Sequence, residues 1–297
     1  SDLPAANLTG ALPAISGASL TNLPALPLAG GTLTGDLIIS ENDHSNERNT
    51  RKVLEDFSML PIKLFIQKKN LGMFGNWNFL VEKANGEYFT LLNDDDILLP
   101  TWATIVTKID GRQMLGVRAL ENTPTNRSRS CENDSEHIFK NITLNELYWG
   151  LWTNGTLGSL FHAESCKSMD LFNPDLYPIS DWDFYVRYLE QYGGKVSDKI
   201  SVLYGREDSA SLNIDTMLKD MEKSYFYRDE LIAKGRLKNR LKLQFIKNMF
   251  YAKKYSICRS CCQDIGEHQF PNAALSFPPV RLLLRFFPMR MAKFLFK

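Results

Sequence analysis

Residues 86–100 read GEYFTLLNDDDILLP. An apolar run delivers the chain to three carboxylates in a row, Asp94, Asp95 and Asp96. EYFTLLN has the make-up of a strand bound for the interior. Like charges this close repel, and a carboxylate removed from water without a partner is costly. A strand that ends in clustered Asp resolves the conflict. It fixes the backbone and projects the carboxylates from its C-terminal edge, where open α/β sheets bind ligands. Hard cations such as Mg²⁺ and Mn²⁺ prefer oxygen ligands and share them with phosphates. The plainer alternative is a solvated acidic turn, with Asp96 capping the next helix.

Working outward, strands alternate with helices. LIIS (37–40) is a short apolar run before the polar turn ENDHSNE, and NTRKVLEDF (49–57) can form a helix. IKLFIQ (62–67) is a second strand candidate. NLGMFGNWNFLVEKAN opens on a glycine turn and then sets Trp77, Leu80, Val81 and Ala84 at helical spacing. ISDWDFYVRYLEQYG is a helix with a glycine stop that offers Phe184, Val186, Tyr188 and Leu189 to a core, and KISVLYG is a further strand. Residues 111–175 give a mixed, loop-rich pattern. The alternation predicts an α/β fold with a mainly parallel sheet flanked by helices. From Asn213 onward the signal is mostly helical, with a proline-rich break at FPNAALSFPP.

The 297 residues, 44% hydrophobic and 11% aromatic, suffice for a sizeable core. Five cysteines without a regular framework argue against a secreted disulfide scaffold and for a reducing compartment. Cys258-x-x-Cys261-Cys262 lacks a second ligand pair at zinc spacing, and His268 alone does not complete one. No apolar run approaches the ~20 residues of a membrane-spanning helix. The opening SDLPAANLTG has neither the basic nor the apolar region of a signal peptide.

The motifs around the acidic run form a long ordered pattern: N-L-G-x-x-x-N-x-N, then A-x-G-E-Y, then L-N-D-D-D-x-x-x-P. This order resembles the family-2 glycosyltransferases, whose fold is the nucleotide-diphosphosugar α/β domain called GT-A. The resemblance covers residues 37–212 and implies an inverting transfer from a nucleotide-sugar donor to a hydroxyl of a glycan or lipid-linked acceptor in surface polysaccharide synthesis. It implies that Asn93, Asp94, Asp95 and Asp96 match the family's DXD site. There Asp95, with Asp94 and Asp96, would face Mn²⁺ or Mg²⁺, and Asn93 stands where the family has its first Asp. IISENDHSNE resembles the segment that approaches base and ribose. One register places Asn42, Asp43 and Ser45 there, and another uses Glu41 and Asn42. Asn70, Gly72 and Asn76 fit the turn before a nucleotide-facing helix, or else an ordinary turn and helix cap. Asp181 matches the catalytic base, with Asp183 and Arg187 on the same helix. Its plainer role is an N-cap. Arg206 in YGREDSAS matches a loop that closes over the diphosphate, and Asp183 and Arg206 are candidates for catalytic support.

The two ends follow other patterns. Residues 1–36 are mostly Ala, Leu, Gly, Pro, Thr and Ser, with no aromatic residue and no base and breakers every few positions, which reads as a linker. LPLAGGTLTGDL is similar to repeats of phage tail fibres. This raises a second possibility, a fibre-type structural or attachment protein carrying an inactive transferase domain. The family's opening strand, turn and helix have no counterpart here, so LIIS is expected to be its second strand without the central neighbour. Residues 213–297 form a helical, basic extension. RLKNRLKLQFIKNMFYAKKY and VRLLLRFFPMRMAKFLFK combine bases with apolar residues, which suits a membrane interface on the inner face of the cytoplasmic membrane, or a basic solvated face. No nucleic-acid-binding motif accompanies them, and the expected location is cytoplasmic and peripheral.

Overall fold

The structure is a computed structural model and describes residues 37–130, 137–148, 158–205, 213–234, 247–248 and 251. Residues 1–36, Arg206, the cysteines at 258–262 and most of the basic C-terminal region lie outside them. The chain divides into two compact units, with the boundary between Ser209 and Ala210.

In the first unit the order is β1 (Leu37–Glu41), α1 (Glu47–Glu55), β2 (Ile62–Ile66), α2 (Gly72–Lys83), β3 (Tyr88–Phe89) and β4 (Ile97–Leu98). Then come α3 (Pro100–Val106), β5 (Met114–Glu121), α4 (Pro124–Ser130), β6 (Phe139–Asn141), α5 (Leu144–Tyr148) and β7 (Phe161–His162). The unit closes with α6 (Ala163–Lys167), α7 (Ser180–Tyr192) and β8 (Gly194–Tyr204). In the second unit α8 spans Ile214–Ala233, begun by Asn213, whose side chain accepts from the backbone N–H groups of Asp215 and Thr216.

The strands pair in a mixed pattern. β1 lies parallel to β2, Leu37 opposite Ile62 through Glu41 opposite Ile66. β5 lies parallel to β8, starting with Met114 opposite Gly194. The remaining pairs are antiparallel: β3 with β7, and β4 and β6 each with β8. The expected parallel pairing therefore holds in two places; among the described residues the strands form three sheets, parallel β1–β2, antiparallel β3–β7 and a mixed four-stranded sheet of β4, β5, β6 and β8. Among the described residues β1 pairs with no strand but β2, and β3 with none but β7. Helix α2 joins β1 to the segment that precedes α7. Its Asn76 bonds Ser40 of β1, while its Phe74 and Trp77 pack on Phe172.

The core gathers where β5 and β8 meet α3. Trp102, Ile105, Leu115, Val117, Leu160 and Val202 form one buried cluster. Gly158 (φ +64°) closes it, and a Cβ there would lie 2.5 Å from Val202 Cγ2. The Trp102 indole donates to the Gly158 carbonyl at 2.7 Å, so the aromatic ring enters the core with its polar atom satisfied. Strand β5 does not show in the sequence pattern of 111–175. Met114 to Val117 are buried one after another, so a strand covered on both faces has no alternation to read. Helix α7 buries Trp182, Phe184, Tyr185, Val186, Tyr188 and Leu189, more than one stripe, as a helix inside a core does. It stops at Gly193 (φ +73°).

Candidate active site

The acidic turn is built by the β4–β8 pairing. Ile97 sits opposite Leu203 and Leu98 opposite Val202, and the Leu99 N–H extends the pairing to the Ser201 carbonyl. Continuing that register backward sets the Asp residues against Gly205, at the end of β8. Asp96 turns inward. One carboxylate oxygen accepts from the Asn93 N–H at 3.1 Å and the other from the Gly205 N–H at 3.2 Å. Burial raises its pKa to about 7, helped by the charge of Asp95 and opposed by these backbone bonds. Asp94 and Asp95 stay exposed. Of the three expected metal ligands, Asp96 thus anchors the turn while the other two face outward.

A second group of predicted residues comes together where β1 meets the start of α2. The Asn42 side chain accepts from the Leu71 N–H at 2.8 Å and donates to Asn70 Oδ1 at 3.0 Å. Asn70 Oδ1 also accepts from the Gly72 N–H at 2.7 Å, in a turn that Gly72 permits with φ +71°. Asn76 Oδ1 accepts from the Ser40 hydroxyl at 2.6 Å, and Gln67 donates to the same hydroxyl at 2.7 Å. Ser40 and Gln67 join the group only in three dimensions, because residues so far apart carry no local signal. Asp43 accepts from both the backbone N–H and the hydroxyl of Ser45, at 2.9 and 2.7 Å. The hydroxyl bond leads in holding its carboxyl below the usual range. Glu41, the alternative in this segment, accepts from buried Thr50 Oγ1 at 2.6 Å and from the Asp43 N–H at 3.0 Å. It fastens α1 to the end of β1.

Asp181 and Asp183 occupy the first turn of α7. Asp181 is half-buried, and its Oδ1 accepts from the Trp182 N–H at 2.8 Å. Asp183 pairs with Arg187 at 2.8 Å. The Arg187 guanidinium also donates to the Leu171 carbonyl at 2.7 Å and to the Asp170 carbonyl. It therefore fixes the 170–171 segment to the helix, and Asp183 serves that anchor.

Among the described residues no group of three or more His, Cys, Asp or Glu side chains is assembled to hold a metal. A Mg²⁺-like ion typically uses one or two carboxylates plus phosphate and water oxygens. The exposed pair Asp94 and Asp95 fits that donor set.

Residues 29–169 match the model of glycosyl transferase family 2. No curated protein matches the chain. Among similar solved structures is S. aureus TarS 1-349, 14% identical with TM-score 0.44, over 73% of this chain and 71% of that one. Another is the mannosyltransferase PcManGT from Pyrobaculum calidifontis in complex with GDP-Man and Mn²⁺, 13% identical with TM-score 0.49, over 84% of this chain and 74% of that one. A third is GalNAc-T7 with UDP, GalNAc and Mn²⁺, 10% identical with TM-score 0.46, over 86% of this chain and 49% of that one. This chain spans about half the length of the third.

Proposed function

From the match of residues 29–169 to glycosyl transferase family 2, we propose that the chain moves a sugar from a nucleoside-diphosphate sugar to a hydroxyl of a glycan or lipid-linked acceptor, with inversion. The observation that carries this reading is the acidic turn: two exposed carboxylates, Asp94 and Asp95, on a loop fastened from behind by Asp96. Asp94 and Asp95 would hold Mn²⁺ or Mg²⁺. A bound ion would neutralise charge on the departing nucleoside diphosphate.

The nucleotide would lie along the β1–α2 edge. Asn42, Asn70 and Gly72 shape the edge through their bonds to one another and Asn76 through its bond to Ser40, and Asp43, Ser45 and, from the acidic turn, Asn93 would complete the nucleotide site. The acceptor oxygen attacks the anomeric carbon as the bond to the diphosphate breaks. The electron pair of that bond leaves with the diphosphate, and the hydroxyl proton passes to Asp181. A carboxylate suits this task when the hydroxyl is within hydrogen-bond reach. Asp181 is preferred to Asp183 because Asp183 is committed to Arg187. Holding both reactants in line supplies much of the acceleration. The base-rich, apolar residues 281–297 would rest on the anionic inner face of the cytoplasmic membrane, a reading supported by composition.

Calorimetry tests the core of the proposal. UDP and GDP are titrated into the wild type and into Asp95→Ala, each with and without Mn²⁺. Tighter binding with Mn²⁺ in the wild type, lost in the variant, is the expected result. Equal affinities in all conditions would sink it.

A further inference from the structure

We infer that Gly205 and Asp96 are positioning residues that set where the Asp95 carboxylate stands. The inference rests on the reading of Asp95 as a metal ligand. Asp96 takes the Gly205 N–H on one oxygen and the Asn93 N–H on the other, so it ties the turn to the last residue before the 206–212 segment. Asp95 then lies directly over Gly205. A Cβ built on Gly205 would sit 2.4 Å from Asp95 Oδ2 and 2.5 Å from its Cβ and Cγ.

The identity of those atoms decides the consequence. A clash with Oδ2 alone could be relieved by turning the side chain. A clash with Cβ cannot, because Cβ moves only with the backbone. Any side chain at 205 therefore displaces the acidic turn itself. Gly205 has no positive φ, so its backbone conformation is open to alanine and the strain falls on the contact with Asp95. That makes Gly205→Ala a selective probe of the carboxylate's position. Asp96→Asn is the complementary variant, since it replaces one acceptor oxygen with an NH₂ group that cannot accept the N–H it faces.

The full-length chain is labelled with [¹³C]aspartate, and the Asp95 carboxyl resonance is assigned by its loss in Asp95→Asn. The resonance is recorded without metal in wild type, Gly205→Ala and Asp96→Asn. Mn²⁺ affinity in the presence of UDP or GDP is then read from the electron spin resonance of free Mn²⁺, and thermal unfolding is followed in parallel. Gly205→Ala is expected to move the Asp95 resonance and weaken Mn²⁺ binding about 10–100-fold, as loss of an outer support for a metal ligand does. Asp96→Asn is expected to weaken Mn²⁺ in the same direction, with faster exchange of the Gly205 amide. An unmoved Asp95 resonance, or Mn²⁺ affinity within about twofold of wild type in both variants, overturns the inference. So does a loss of affinity that only tracks a lower melting temperature. A wild type that binds no Mn²⁺, while Gly205→Ala still moves the resonance, overturns the metal reading and leaves the contact itself upheld.

Discussion

Two regions of the first unit are held together in different ways. The β1–β2 pair has half-buried or exposed residues along its whole length and is fastened at its C-terminal end by amide and hydroxyl side chains: Asn42 with Asn70, and Ser40 with Asn76 and Gln67. The β5–β8 sheet buries the start of β5 and most of β8 and rests on an apolar cluster. Polar bonds between partly exposed groups contribute little net stability each, about 0.5–1.5 kcal/mol, whereas each fully buried large side chain contributes about 1.5–3 kcal/mol. The first region is thus suited to yielding locally around a ligand, and the second to giving helix α7, which packs on β5 and carries Asp181, a firm support.

The sharpest contrast lies in turnover. If helix α7 carries the proton transfer, Asp181→Asn keeps the shape of the site and lowers turnover by about 10²–10⁴-fold. UDP or GDP affinity should stay unchanged, as measured by steady-state kinetics beside calorimetry. Retained turnover moves the base elsewhere and breaks the division of labour.

Stability gives the next contrast. Phe184 is fully buried and its ring lies 4.4 Å from Phe172 and 5.4 Å from Phe161, centroid to centroid. Phe184→Ala should cost about 3–5 kcal/mol in urea denaturation. A cost below ~1 kcal/mol would mean that the aromatic cluster around α7 adds little to the stability of the first unit.

A smaller, local effect is expected at the polar edge. Asn42→Ala removes the acceptor for the Leu71 N–H and the donor to Asn70. Native-state hydrogen exchange should show β1 and β2 amides opening more easily by about 0.5–1.5 kcal/mol per lost bond, while β5 and β8 amides keep their wild-type rates. Equal acceleration in both sheets would show that they open as one.

The smallest effect concerns pH at the β6–β8 edge. Thr104 Oγ1 donates to the Thr101 carbonyl, so it accepts from His137 Nε2–H at 2.7 Å, and His137 Nδ1 accepts from Ser197 Oγ at 2.9 Å. Burial, with the charges of Lys199 and Lys108, holds the His137 pKa below its ordinary value against the pull of Asp198. A folded pKa below the unfolded one contributes stability that is present above the unfolded value and lost as pH falls through the folded one. Unfolding free energy should therefore fall from pH 7.5 to pH 5 more steeply in the wild type than in His137→Asn. Parallel slopes would remove His137 from the account.

How much of this was written in the chain depends on the range of the interactions. Helix α7 was legible because its apolar residues and the Gly193 stop are local signals, and β1 and β2 were legible as short apolar runs. Strand β5 was not, because burial on both faces erases alternation. The order of Asn42, Asn70, Gly72 and Asn76 pointed to a nucleotide edge, but the bonds of Asn42 to Asn70 and of Asn76 to Ser40 depend on β1 meeting α2. Gly205 read only as the residue that ends KISVLYG and opens the YGREDSAS loop. Its role comes from a strand register that joins residues 97–98 to 202–203.

Strand β8 also imposes an order on synthesis. Among the described residues its eleven residues are the last strand of the first unit to leave the ribosome, and β4, β5 and β6 all hydrogen-bond to it. Until residues 194–204 emerge, the nascent chain carries three strands waiting for one shared partner. Nascent polypeptides stalled before this point would present unpaired edges to chaperones, and release of β8 would complete the sheet in a single late step.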